Sequence, residues 1–436
     1  MVTAELINEL KAVLPEVKMA TEENQITLFP NTEEHIVEIV KYCQNHKKTL
    51  RIIGGGTKSK LDTSNELVDI KLSLSEYSGI VEHTVGDMTV TVKAGTRYEE
   101  LQEYLAQHKQ KVALDPSWQR DATMGGVIAA NDSGPKRLGY GTARDCVIGL
   151  RTVYPDGKVI RSGGRVVKNV AGYDMNKLFI GSMGTLGVIS EITLKLRPLH
   201  KCESLILLSF PNGNLDEVRR FAVELLDSMM EPIALELLNP PMAEKLADIN
   251  AYTLAISLED VETSVRYQEE FIQKLRPNNA ELTILNEDQA ASFWQRVYTV
   301  APSGVDEDSS TKNNAETVAL MKVGVVNLSV LDVARECQLV SDRYSVRVEA
   351  HGGLGTGIAQ VILRGASEDV SQSIIHLREY AVKLGGYGIV KYLPESLNGT
   401  VDVWGEKPSY FQLLKGIKAK MDPSGIMNPK RFIGGI

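Results

Sequence analysis

The sequence predicts an α+β protein of two domains, and three observations lead there. Its 436 residues are long for one domain. Up to residue 198, helical and strand-like runs are separated by three stretches crowded with glycine and other small residues. Beyond residue 198 the pattern changes to alternating strands and helices of moderate length, which points to a sheet with helices packed on one face.

"MVTAELINELKAVLPEV" reads as a short amphipathic helix with Leu6, Ile7, Leu10, Val13 and Leu14 on one side. Residues 31–45 form the next helix, with Asn31 as its cap, Glu34 at the third helical position, and Ile36, Ile39, Val40 and Cys43 as its apolar stripe. The strand "TLRII" then runs into "GGGTKSKLD". "LVDIKLS" and "MTVTVKAGT" alternate as strands do, and "RYEELQEYLAQHKQ" reads as a helix with Leu101, Tyr104, Leu105 and His108 inward. Residues 112–145 are rich in small residues and have little periodicity. "VIGLRTVYP" and "KVIRSG" flank the turn Pro155-Asp156-Gly157, and "GSMGTLG" leads into the alternating strand "VISEITLKL", closed by Pro198. In the second domain "SLILLSF", "PIALELL" and "YTLAISLE" are strands, while "LDEVRRFAVELLDSM" and "VETSVRYQEEFIQKL" are helices. Residues 302–315 form a polar loop, "SEDVSQSIIHLREYAVKLGG" is a helix ended by its glycines, and the tail is a helix stopped at Asp422-Pro423 before a tight turn.

A net charge of -8 argues against nucleic-acid or anionic-membrane partners. No apolar run reaches the ~18 residues of a spanning helix, and the N-terminus lacks the layout of a secretory signal, so a cytoplasmic place is expected. The four cysteines, Cys43, Cys146, Cys202 and Cys337, are too scattered for a zinc or iron–sulfur spacing and read as reduced core thiols.

The glycine triplet is the first chemical signal. A P-loop needs a glycine, four further residues and then Gly-Lys-Ser/Thr; here Arg51 stands at the place of the first glycine and Thr57 separates Gly56 from Lys58. A Rossmann fingerprint needs a third glycine where Ser59 stands, and "LDTSNELVDIKL" returns to a strand instead of a long helix. Two readings of the loop stay open: a nest of backbone N–H groups for an anion, helped by Thr57, Ser59, Lys58 and Lys60, or a tight strand-to-strand turn. "DPSWQRDATMGGVIAANDSG" favours the first, because Gly125, Gly126, Ala129 and Ala130 leave one side of a short helix nearly bare. "GSMGTLGVIS" adds Gly181, Gly184 and Gly187 ahead of a strand whose first backbone groups could read an imide edge. Three separated small-residue patches suit one long ligand.

Together these residues resemble the vanillyl-alcohol-oxidase-type flavoproteins, whose FAD-binding domain is shared with p-cresol methylhydroxylase. The likeness covers residues 17–198 and the tail "MDPSGIMNP"; "GGRVVKNVAGYDMNKLFIGSMGTLGVISEITLKLRPL" is similar to the FAD-binding subunits of bacterial glycolate oxidase almost position by position. The resemblance implies a two-subdomain FAD-binding domain of the p-cresol-methylhydroxylase type at 1–198, an α+β cap domain with an antiparallel sheet at 199–410, and a C-terminal segment at 411–436 returning to the FAD domain. It puts Gly54, Gly55, Gly56, Thr57, Lys58 and Ser59 on the FAD pyrophosphate, with Pro116, Thr123, Met124, Gly125, Gly126, Asn131 and Gly134 on the other side. Val188 or Ile189 approaches the cofactor through its backbone, and Asn428 lies near it. Several relatives tether the flavin to a histidine that follows the third glycine; Thr57 stands there in this chain, so the FAD is expected to be non-covalent.

The resemblance also implies the chemistry, oxidation of glycolate or a similar 2-hydroxy acid, with electrons passed to a sister flavoprotein subunit and an iron–sulfur subunit. Such partners would make the chain at most peripheral to the inner face of a membrane. The reaction needs a cation for the carboxylate, a base for the hydroxyl proton and the α-hydrogen facing the flavin. Related dehydrogenases carry "HAGDGNLH", whose histidines help bind a metal; here "AHGGLGTGIAQ" keeps His351 but has Ile358 at the second place, so no metal is expected. His351 is the candidate proton acceptor, against the alternative of a histidine that only fills a strand end. Glu349, Arg347 and Lys322 are candidate polar walls, against ordinary salt-bridged roles, and Trp294 and Tyr298 read as core. Two functions stay open: a hydroxy-acid oxidising subunit, and a non-catalytic flavin-bearing or scaffolding one.

Overall fold

The computed structural model describes residues 4–22, 25–59, 68–164, 173–305 and 316–436. Lys60, residues 165–172 of the stretch that begins "GGRVVKNVAGYD" and most of the expected 302–315 loop lie outside the described residues. The chain divides into one unit of Met1–Asp132, Thr142–Leu199 and Glu406–Ile436, and another of Ser133–Gly141 and His200–Gly405.

The first unit is built on two sheets that share one apolar core. β1 (Lys18–Glu22), β2 (Gln25–Phe29), β3 (Leu50–Ile53) and β4 (Ile70–Ser73) form the first, in the order β1-β2-β4-β3, with β3 parallel to β4. β5 (Ile80–Thr84), β6 (Thr89–Lys93), β8 (Val147–Val153), β9 (Val159–Gly163) and β10 (Val188–Lys195) form the second, in the order β5-β6-β10-β8-β9; β7 (Gln110–Lys111) and β11 (Arg197–Pro198) make a short ladder beside it. Ile26, Leu28, Ile70 and Leu72 of the first sheet and Val90, Val92, Ile192 and Leu194 of the second bury their alternate side chains together, as period-two strands with one apolar face must. The Glu33–His46 helix adds Ile36, Ile39, Val40 and Cys43 to this core. Its cap is Thr32, one residue later than Asn31: the Thr32 hydroxyl accepts from His35 N–H at 3.1 Å. That frees Glu33 to turn inward onto Arg151 and the Ser190 hydroxyl. Of the first helix, Ala4–Val13, Leu6 and Leu10 are buried but Val13 is 52% exposed, and His108 falls outside its helix and is exposed.

β3 is an edge strand, which leaves a row of backbone groups open on its outer side. The tail closes it. After the Phe411–Met421 helix the chain returns beside β3: Leu50 N–H donates to Ile426 O at 2.8 Å, and Asn428 N–H donates to Leu50 O at 2.9 Å. The turn is held by a buried ion pair. Lys418 Nζ reaches Asp422 at 2.6 Å and also donates to the carbonyls of Thr185 and Met427, while Asp422 accepts from the Ile426 and Met427 N–H groups. Burial pulls the Lys418 ammonium below its ordinary value, and Asp422 opposes that pull.

The second unit is one eight-stranded sheet. Its strands are β12 (Cys202–Phe210), β13 (Ala234–Leu238), β14 (Tyr252–Asp260), β15 (Glu281–Leu285), β16 (Thr317–Gly324), β17 (Arg347–Gly353), β18 (Ile358–Gly365) and β19 (Tyr387–Tyr392), in the order β15-β12-β14-β13-β17-β18-β16-β19. Every neighbouring pair is antiparallel. The helices do not keep to one face. Pro240–Ala247 and Glu287–Thr299 cover Leu205, Leu207, Leu238, Ala255, Leu320 and Ile362. Glu262–Leu275 bonds to Ser204 on the opposite face, because nearly every strand residue here is apolar and both sides need cover. Trp294 and Tyr298 are core, stacked with ring centroids 6.3 Å apart.

Residues 133–141, read from the sequence as first-domain loop, pack with the second unit. Lys136 places its ammonium 2.7 Å from Glu203 and 2.6 Å from Glu259, Tyr140 OH donates to Glu259 at 2.5 Å, and Gly139 N–H donates to Ile233 O. Two carboxylates buried on adjacent antiparallel strands need a cation, and this excursion supplies it.

Candidate functional site

In the first unit a cleft is lined by small residues and a few apolar ones: Gly54, Gly125, Gly126, Ala129, Gly184 and Gly187, beside Ile52, Leu74, Ala94, Thr123, Met183, Ile189 and Asn428. The glycines are bare for different reasons. A Cβ on Gly55 would stand 1.6 Å from Asp121 O, and one on Gly54 would stand 2.2 Å from Thr123 Oγ1. The triplet is therefore pressed against the 121–123 backbone, and Gly56, at φ 74°, turns the chain away. Gly125 is bare because the Met124–Ala130 helix rides on Ala94, where a Cβ would come within 2.8 Å. Gly126 differs: only the Thr123 hydroxyl would lie within 4 Å of its Cβ, at 3.2 Å, and the rest is open cleft.

Thr123 caps this helix by accepting from Gly126 N–H at 3.3 Å, and Asn131 ends it in the left-handed conformation at φ 46°. Asn131 Oδ1 and the Ser182 hydroxyl are buried without a hydrogen-bond partner among the described residues. On the far wall β10 pairs with β8 from Val188 on but with β6 only from Glu191 on; Ser190 O accepts from Ala94 N–H at 2.8 Å, so only Val188 and Ile189 lie ahead of that pairing, at the cleft. Asn428, at φ 41°, joins the walls: its Oδ1 accepts from Ile52 N–H at 2.7 Å and its Nδ2 donates to Met183 O at 2.6 Å. Asn428→Ala strands both backbone groups in a buried place and should lower unfolding free energy by about 2–4 kcal/mol, measured by urea denaturation.

Among the residues singled out from the sequence, the cleft brings together Gly54, Thr123, Gly125, Gly126, Ala129, Gly184, Gly187, Ile189 and Asn428. Gly55, Gly56, Thr57, Lys58 and Ser59 continue the chain from its rim without lining it. Pro116, Met124 and Val188 are buried, and Gly134 belongs to the second unit. The Lys58 ammonium is not a bare charge on the loop: Asp132 holds it at 3.1 Å, and Asp132 also accepts from Ser117 N–H. Ile52, Leu74 and Ala94 were missed. "KAGT" after β6 carried the signal for Ala94, a pair of small residues at a strand end, and nothing local marked the other two.

The second unit carries a polar row across its sheet. His351 lies directly opposite Gln360 of β18, which lies opposite Lys322 of β16. His351 is 4% exposed, and its Nδ1 is 2.6 Å from Glu236 Oε1 on β13. No partner for its Nε2 exists among the described residues. Glu349, two residues away on the same face, is buried in an ion-pair cluster with Lys245, Arg347 and Arg364, so neither it nor Arg347 is a bare polar wall.

Residues 25–163 match the model of the FAD binding domain family. The chain is 27% identical to the mitochondrial D-lactate dehydrogenase (cytochrome) of Arabidopsis thaliana over 94% of its own length and 73% of that protein. It is 30% identical to glycolate oxidase subunit GlcE of Escherichia coli over 60% of its own length and 67% of that subunit. Its fold is shared with p-cresol methylhydroxylase, at a TM-score of 0.70 and 15% identity over 99% of this chain and 93% of that one. Fold and match define an FAD-dependent oxidoreductase. The chain belongs to the p-cresol-methylhydroxylase-type FAD-binding family that includes glycolate oxidase subunits. The cleft fits that cofactor: Gly126 leaves the width of a side chain open, and Asn131 Oδ1, Ser182 Oγ and the first residues of β10 offer polar groups beside it. No helix among the described residues is long and apolar enough to cross a membrane.

Proposed function

We infer that the chain oxidises glycolate or a similar small 2-hydroxy acid, with the electrons passing to partner subunits. One observation carries this reading beyond the family: a buried histidine that has a carboxylate on one ring nitrogen and no protein partner on the other. FAD, when bound, supplies the acceptor for the hydride that leaves the substrate α-carbon. The rest falls to the protein. His351 Nε2 takes the hydroxyl proton, and Lys322, about 10 Å from it by strand spacing, holds the carboxylate. The cleft at Gly126 and the start of β10 hold the cofactor, with the backbone at Gly54, Gly55, Gly56, Thr57 and Ser59 on its diphosphate. Lys58 acts there through Asp132, which fixes the loop. Thr57 offers no imidazole, so the FAD is non-covalent. The names of the two relatives support the substrate class, and the second relative, a subunit, supports a sister flavoprotein as partner. An iron–sulfur subunit would carry the electrons onward, since this chain's four cysteines are all single and mostly buried.

The test is spectroscopic. Purified protein should be yellow, release all its flavin on acid precipitation, and bleach when glycolate or D-lactate is added without oxygen. The near-complete burial of His351 favours a second reading, a flavin-bearing subunit without turnover of its own. Yellow protein that no hydroxy acid bleaches, alone or with an artificial acceptor, would support that reading and sink the first.

A further inference from the structure

Glu236 stands on β13 with its side chain wholly enclosed, in a sheet whose neighbouring positions are apolar. Its Oε1 meets His351 Nδ1 at 2.6 Å, and its Oε2 packs over Gly353 beside the Thr356 hydroxyl. A carboxylate in such a place is costly unless it is paired, and the imidazole is the partner it has.

We propose that Glu236 is the positioning residue of the reaction: it keeps the proton of neutral His351 on Nδ1, leaves the Nε2 lone pair as the acceptor, and stabilises the imidazolium that forms. This rests on the reading of His351 as the proton acceptor. The proton leaves the substrate hydroxyl for Nε2 while the hydride and its electron pair leave the α-carbon for FAD, so the carbonyl forms without a further reactant. Glu236 stays ionised throughout and takes no proton. Burial pushes its carboxyl up, and the His351 bond and the charges of His351 and Arg137 pull it back. The other charged groups around the ring are few. Glu349 on its own strand is matched by Lys245, Arg347 and Arg364, and Lys322 lies two strands away. Glu236 is therefore the anion that sets the tautomer. The opposite arrangement, a protonated Glu236 donating to Nδ1, would put a hydrogen on Nε2 and leave nothing to accept the hydroxyl proton.

Two measurements decide it. In FAD-loaded wild-type enzyme with nitrogen-15 histidine, long-range proton–nitrogen spectra read the tautomer of each of the seven rings, and His351→Gln identifies the right one. Hydrogen on Nδ1 and a bare Nε2 are expected; hydrogen on Nε2 overturns the proposal. In Glu236→Gln, kcat should fall about 100-fold with KM within about twofold, and the acid limb of the pH–rate profile should move to lower pH, because the imidazolium loses its anion. Glu236→Asp should return that limb toward its original position. A kcat loss with an unmoved limb would make Glu236 merely structural. Should Glu236→Gln not fold, the wild-type spectrum still decides. Should no hydroxy acid reduce the enzyme while hydrogen sits on Nδ1, the substrate reading fails and the dyad stands.

Discussion

Gly55→Ala should yield a protein with its glycine loop unseated and its flavin lost. The added Cβ would lie 1.6 Å from Asp121 O and 2.7 Å from its carbonyl carbon, both backbone atoms that no rotamer change can move. Asp121 sits in a turn closed by its N–H and that of Ala122 on Trp118 O, and this turn delivers Thr123 to its cap. Relief at Gly55 therefore means shifting the helix that forms the cleft wall. Overpacking against side chains costs about 1–3 kcal/mol, and a clash with fixed backbone exceeds that, so a loss of roughly 3 kcal/mol or more is expected in denaturant unfolding. Retained flavin, read from the visible spectrum, should drop to near zero. Gly126→Ala is the paired control. Its Cβ meets only the Thr123 hydroxyl at 3.2 Å, and alanine is the better helix former, so stability should hold within about 1 kcal/mol while flavin affinity falls roughly tenfold. Equal flavin content in Gly126→Ala and wild type would mean that the cofactor lies elsewhere.

That contrast marks what a sequence can carry about this site. The position of small residues was legible: Gly54, Gly125, Gly126, Gly184 and Gly187 all line one cleft. Their reasons were not, because a glycine that avoids Asp121 and a glycine that admits a ligand look alike along the chain. Lys58 shows the same gap. A lysine beside a glycine loop reads as charge for an anion, and only tertiary structure brings Asp132 against it. The tail was legible as a helix and a turn, and Asn428 as a residue near the cleft. That it completes the open edge of β3 follows only once β3 is known to be an edge.

The second unit was read less well, for a physical reason. Its strands are apolar on both faces, so alternation could not say which face is covered or by what. Residues 133–141 carry no periodicity, and their place is set by Glu203 and Glu259. Glu236 was invisible: it stands in "PIALELL" as one polar residue in a strand, and its meaning comes from a cross-strand neighbour more than a hundred positions later.

His351→Gln tests whether that neighbour does chemistry. Glutamine can still donate to Glu236 through its amide, so the buried carboxylate keeps a partner, and the fold should lose only about 1–3 kcal/mol. The cofactor cleft belongs to the other unit and has no residue from β17 in its lining, so flavin content should match wild type. The rate of flavin reduction by glycolate or D-lactate in a single anaerobic turnover should fall by about 10²- to 10⁴-fold, the range for loss of a positioned base. A variant that keeps its flavin and reduces within about threefold of the wild-type rate would show that the proton goes to another group; His351 would then be the strand-end filler that its burial also permits.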